Sequence, residues 1–123
     1  MKLSALVGGS SEVIGPEASL RMAAEAMIRA DAASLAVIDG HELVGIITER
    51  DIVRAAAGDL WDDDTVADWM TPSPDVASPE VTVEEAAKWL LETGYRHLPV
   101  MDEGELLGVV SVRDLLWAVV HPE

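Results

Sequence analysis

The chain is written twice. Shifting it by about 63 residues lays Val13–Ala57 on Val76–Val120 without a gap, with roughly a third of the positions identical and most others exchanging one apolar residue for another. Pro16-Glu17 falls on Pro79-Glu80, Ala23-Ala24 on Ala86-Ala87, Gly45 on Gly108 and Arg50-Asp51 on Arg113-Asp114. The lead-in repeats as well, Leu3–Val7 matching Val66–Met70. Almost nothing is left for a second kind of domain, so the expected division is residues 1–61 for one copy with its lead-in and 62–123 for the other.

Local signals give each copy the order strand, helix, strand, strand, helix, a mixed α+β architecture. In the first copy Val13-Ile14 reads as a brief strand, and Ser19 caps a helix that carries Leu20, Ala23, Ala24, Met27 and Ile28 at helical spacing. Leu35–Ile38 and Leu43–Thr48 are β-rich runs joined at Asp39-Gly40-His41-Glu42, which suits a hairpin. Thr48 opens a second helix that Gly58 closes. The second copy repeats the plan more strongly: Thr82 and Glu85 spell a capping box, and Gly94 stands where a left-handed cap is expected. Gly8–Ser11 break the lead-in, while Asp62-Asp63-Asp64 in the joining segment read as solvated surface, because adjacent carboxylates repel and lack calcium-loop spacing. A three-stranded sheet with helices on one face leaves its other face apolar, so two copies packed sheet to sheet with pseudo-two-fold symmetry solve the burial problem for both.

Composition excludes several functions. The chain has 123 residues, half of them hydrophobic, enough for a core of its own. No apolar run approaches the roughly 18 residues of a membrane span, and no signal-peptide pattern opens the chain, so a soluble cytoplasmic protein is expected. With no cysteine there is no thiol nucleophile, disulfide or sulfur-ligated metal. A formal charge of −15 argues against nucleic acid and anionic membranes as partners. His41, His97 and His121 lack metal-ligand spacing, no Walker-type glycine loop occurs, and nothing assembles a nucleophile, base and orienting group; neither an enzyme nor a metal site is expected.

The chain resembles a tandem pair of cystathionine-β-synthase (CBS) domains, the Bateman module. The resemblance rests on Trp69-Met70-Thr71-Pro72, on Tyr95-Arg96-His97-Leu98-Pro99-Val100, on Gly45–Asp51 and on Gly108–Asp114, and it covers nearly the whole chain. It implies a homodimeric regulatory module that requires no cofactor, binds AMP, ADP, ATP or S-adenosylmethionine between its repeats in energy sensing, and signals to a separately encoded enzyme or transporter. It further implies that Thr48 with Asp51, and Ser111 with Asp114, hold a ribose, since a carboxylate can accept from both hydroxyls of a cis-diol. Arg96 and His97 would reach phosphates, the arginine through a bidentate fork. Ile47, Tyr95, Pro99 and Val110 are candidate walls for the base.

Each assignment has a plainer counterpart. Thr-x-x-Asp is also a helix cap. Arg96 could pair with a carboxylate, and Arg50 and Arg113, in the first turns of their helices, could answer either a phosphate or a neighbouring acid. Trp89 and Trp117 on helices suit a dimer contact or a core; Trp61 and Trp69 belong to the joining segment. The first copy has Asp31–Ala36 where the second has Gly94–Pro99, so it lacks the Arg-His pair and the sites should be unequal. The competing function is a ligand-free dimeric interaction module in which the motifs are only caps.

Overall fold

The computed structural model describes residues 1–7, 12–58 and 63–122. The expected turn at Gly8–Ser11 and the positions of Trp61 and Asp62 lie outside these residues. The described chain forms two compact units.

In one unit, β1 (Val13–Ile14), α1 (Leu20–Ala30), β2 (Ser34–Asp39), β3 (Glu42–Thr48) and α2 (Glu49–Ala56) are followed by a short α3 (Val66–Trp69) and β4 (Thr71–Pro72). The sheet order is β1-β2-β3-β4, with β1 parallel to β2 and the other pairs antiparallel. In the other unit, a 3₁₀ turn at Leu3–Ala5 joins α4 (Val83–Thr93), β5 (His97–Asp102), β6 (Glu105–Ser111) and α5 (Val112–Val120). Its β5–β6 hairpin has the register of β2–β3 one repeat on, down to the shift between Val37 and Ile38 that recurs between Val100 and Met101. In place of β1 stands a single parallel bridge at Ala77, which donates to the Pro99 carbonyl and accepts from the Met101 amide, both at 2.9 Å. The counterpart of β4 falls on residues 8 and 9, outside the described residues.

Local chemistry accounts for most of these boundaries. Ser19 accepts from the Met22 amide and starts α1, and Thr82 with Glu85 starts α4 through a reciprocal box. α1 ends on Asp31 at φ 51° and α4 on Gly94 at φ 81°, both left-handed. The two-residue hairpin turns use positive φ at Gly40 in one copy and at Glu103-Gly104 in the other.

The lead-ins are exchanged between the copies. The segment at 1–7 groups with residues 75–122, and the segment at 63–74 groups with residues 12–58. Two backbone bonds of each attachment match one repeat on. Leu3 donates to the Val81 carbonyl and Ser4 to the Pro79 carbonyl; Val66 donates to Ala18 and Ala67 to Pro16. Lys2 bridges Thr82 as Thr65 bridges Ser19. The packed units follow the exchanged lead-ins. Leu3 is fully buried among Val83, Ala86, Leu90, Leu98, Val100, Val110, Leu115 and Ala118. Val66 occupies the same place among Leu20, Ala23, Met27, Leu35, Val37, Ile47 and Ala55.

Two further contacts hold these segments. A Cβ on Gly45 would meet Met70 Cγ at 2.9 Å and the Thr71 carbonyl at 3.0 Å, so only glycine lets β4 and Met70 close over β3. Lys2 Nζ lies 2.6 Å from Glu80 Oε2, and the hydrogen bond to Glu80, followed by its charge, raises the Lys2 pKa above the usual ammonium value.

Leu3→Ala is expected to destabilise the protein by about 2–5 kcal/mol in urea unfolding, the range for emptying a buried leucine site, and Gly45→Ala by about 1–3 kcal/mol through overpacking. Asp31→Gly is expected to stabilise by roughly 0.5–1 kcal/mol, since it removes both a left-handed non-glycine residue and a negative charge at a helix C-terminus. Because the folded Lys2 pKa is raised, the clamp's contribution is fully present below the unfolded value of about 10.4 and is lost as pH rises through the folded value. Glu80→Gln should accordingly flatten the alkaline limb of the stability profile.

Candidate functional site

The second copy gathers its candidate groups where β5 begins, β6 ends and α5 starts. The β5–β6 register sets His97 opposite Ser111. The Val112 amide, first in α5, donates to the Arg96 carbonyl at 3.0 Å and pins the residue before the strand to the start of the helix. Ser111 is the N-cap. Its amide donates to Asp114 Oδ2 at 2.8 Å, and its hydroxyl oxygen accepts from the Asp114 amide at 3.1 Å. Arg96, His97, Ser111, Arg113 and Asp114 are thus held together by backbone ladder and cap, independent of any ligand.

The first copy builds the same frame with different side chains. Glu49 donates to the Ala33 carbonyl at 2.9 Å, and Ser34 pairs with Thr48. Thr48 donates its amide to Asp51 Oδ2 at 2.9 Å and also its hydroxyl, at 3.0 Å, while its oxygen accepts from the Asp51 amide. Ala33 and Ser34 stand where the second copy has Arg96 and His97. Of the expected ligand groups, this copy holds Ile47, Thr48, Arg50 and Asp51, without counterparts of Arg96 and His97.

Both motifs are complete capping boxes, so the plainer reading of Thr-x-x-Asp is true of each. The caps do not exhaust the groups. In each aspartate only Oδ2 accepts a hydrogen bond among the described residues, and the two carboxylates are half-buried. The Ser111 hydroxyl proton also has no acceptor among the described residues, whereas that of Thr48 is taken by Asp51. Arg50, Arg96 and Arg113 are exposed and make no ion pair with a described residue, despite the chain's charge of −15. In such a protein a guanidinium without a carboxylate partner is a group available to a phosphate.

The remaining candidates are occupied elsewhere. Ile47 and Val110 are fully buried members of their units' cores, and Pro99 is fully buried as well, so packing accounts for all three. Tyr95 is half-exposed and stacks on Trp89 of α4, the ring centroids 5.7 Å apart at 27°. Trp89 also packs on the core, Trp69 donates its Nε1 to Asp64 at 2.8 Å, and Trp117 is exposed and stacked on His121 at 4.4 Å. Sequence reasoning did not pick out the Arg96 carbonyl to Val112 amide bond; the aligned Gly-apolar-apolar strand ends were its only trace.

The CBS domain family model matches residues 10–58 and 66–121. The chain belongs to the CBS-domain family. An uncharacterised 17.7 kDa protein of Acidianus ambivalens is 38% identical over 122 residues, covering 97% of this chain and 73% of that protein. The inosine-5'-monophosphate dehydrogenase of Korarchaeum cryptofilum is 38% identical over 110 residues, which is 89% of this chain but 22% of the dehydrogenase. Only a minor part of that enzyme is therefore matched. Among solved structures, Arabidopsis thaliana CBSX2 in complex with AMP is 29% identical with a TM-score of 0.83, covering 98% of this chain and 96% of the crystallised chain. The mixed α/β CBS-pair fold is thus shared along nearly the whole chain. Among the described residues no helix is long and apolar enough to cross a membrane.

Asp114→Ala and Glu85→Ala should each cost about 1 kcal/mol in thermal unfolding, because both remove the same half of a capping box. Equal losses would show that Asp114 contributes to folding no more than a cap does.

Proposed function

We propose that this CBS pair is a regulatory module that binds a phosphorylated adenosine nucleotide at the second repeat and passes its occupancy to a partner protein. One observation carries the reading: Arg96 and Arg113, without carboxylate partners among the described residues, are fixed beside Ser111 and Asp114 by the β5–β6 register and the start of α5. Asp114 Oδ1 and the Ser111 hydroxyl offer an acceptor and a donor for a ribose diol, and the guanidinium groups offer forks for phosphate. The AMP complex of CBSX2 supports the ligand class. The order expected here places AMP, ADP and ATP ahead of S-adenosylmethionine, which brings no phosphate to the arginines. The first repeat, whose Thr48 hydroxyl is spent on Asp51 and which has Ala33 in place of Arg96, binds more weakly or acts as a cap.

The module works as a homodimer. Exposed apolar residues stand at matching positions of the two repeats: Ile28 is 81% exposed and Leu91 85%, Val53 68% and Leu116 60%. Large aliphatic side chains that open to water, on two helix pairs of one chain, suit an interface between subunits. A ligand would shift that dimer only by its difference in affinity for the two arrangements, which is how occupancy would reach an enzyme or transporter.

The reciprocal caps favour a second reading, a dimeric interaction module that binds no ligand. Isothermal calorimetry with AMP, ADP, ATP and S-adenosylmethionine decides between them. Arg96→Ala should leave the melting temperature unchanged and weaken AMP binding by about 10- to 100-fold, the range for losing a charge-assisted contact. No heat from any of the four ligands would favour the ligand-free module.

A further inference from the structure

The homodimer reading leaves open which repeat faces which, and the exposed stripe of the first helix in each repeat carries information on that point. On α1 it runs Arg21, Glu25, Ile28, Arg29; on α4, one repeat on, it runs Glu84, Lys88, Leu91, Glu92. All eight residues are exposed, and the spacing puts each set on one helix face. The apolar centre is kept while every charge around it is inverted: plus, minus, plus on α1 and minus, plus, minus on α4.

The charges, taken without Ile28 and Leu91, read the same in both directions. If α1 lies against α4 of a second chain, every opposed pair has opposite signs, whether the helices run parallel or antiparallel. If α1 lies against α1, or α4 against α4, every opposed pair is alike. Like charges across an interface are costly, and opposite ones fix register. The neighbouring helices point the same way. α1 packs against α2 and α4 against α5, and where α5 exposes Trp117, α2 exposes Arg54 one repeat earlier. Like-with-like pairing would face Arg54 with Arg54, while crossed pairing offers the Arg54 guanidinium to the Trp117 ring, a cation–π arrangement. Arg29 also reaches Glu12 of its own unit at 3.7 Å, an exposed ion pair too weak to withhold it from an interface.

We propose that the chain dimerises head to tail, the first repeat of each subunit meeting the second repeat of its partner through the faces centred on Ile28 and Leu91. This rests on the homodimer reading above and adds the orientation. The occupant of each face is a second copy of this chain, because the inverted charges make the two faces complementary to one another and neither complementary to itself.

Sedimentation equilibrium at low salt tests it. Reversing α1 alone (Arg21→Glu, Glu25→Lys, Arg29→Glu) should weaken self-association by about tenfold or more, and reversing α4 alone (Glu84→Arg, Lys88→Glu, Glu92→Arg) should do the same. The chain carrying both reversals should recover, with circular dichroism showing all three folded. Since the chain has no cysteine, Glu25→Cys and Lys88→Cys variants, at the middle of the two charge triplets and so opposed in either helix direction, add a direct readout, with a disulfide dimer expected from their mixture and from neither alone. A dimeric parent whose association ignores the single reversals, or a Glu25→Cys chain that cross-links to itself, would overturn the orientation and leave the homodimer standing. A monomeric parent would overturn both.

Discussion

Each hydrophobic core in this protein is closed by one fully buried side chain delivered from the other copy's lead-in, with partly buried lead-in residues packed at its edge. Leu3 fills the gap in front of Val83, Leu90 and Val110, and Val66 does the same before Leu20, Met27 and Ile47. The hairpins and helices are laid around those two plugs. A helix pair on one face of a two-stranded hairpin is too small a unit to bury its apolar surface alone, and the plug with its short backbone ladder completes it. Because the plugs are exchanged, neither copy completes its core from its own contiguous half of the chain.

The geometry of the candidate site is a by-product of that framework. Once β5 and β6 pair in their observed register, His97 has to stand opposite Ser111, and the first amide of α5 finds the Arg96 carbonyl. The cap on α5 and the proposed ribose grip use the same aspartate without competing, since the cap consumes Oδ2 and leaves Oδ1. Two roles can therefore coexist on one motif. The first repeat differs in its side chains: the Thr48 hydroxyl is bonded back to Asp51, and Ala33 stands where the second repeat has Arg96.

Duplication gave the two repeats a common frame, and the differences between them lie on the surface. The buried positions keep the residue, as at Leu35 and Leu98 or Val37 and Val100, or exchange apolar for apolar, Leu3 for Val66, Leu20 for Val83 and Met27 for Leu90, because packing tolerates little else. Exposed positions are free to diverge in sign, and on α1 and α4 they have diverged into opposite patterns around Ile28 and Leu91. The proposed binding and association would both be differentiated in this way while the cores stay alike.

What the amino-acid sequence determined by itself is everything set within a few residues. The strand and helix order, the caps at Ser19, Thr82 and Ser111, the left-handed end at Gly94 and the hairpin turns follow from propensities and hydrogen bonds that span one turn of chain. The repeat itself, and with it the family, is likewise a property of the letters alone. Only the tertiary structure decided which core each lead-in enters, since Leu3 and Val66 are equally apolar and the pattern is unchanged if they trade places. It also placed Ile47, Pro99 and Val110 in the interior, turned Tyr95 onto Trp89 and left Arg96 without an acid among the described residues. Those outcomes depend on which distant groups compete for the same space and charge, and a one-dimensional pattern carries no record of that competition.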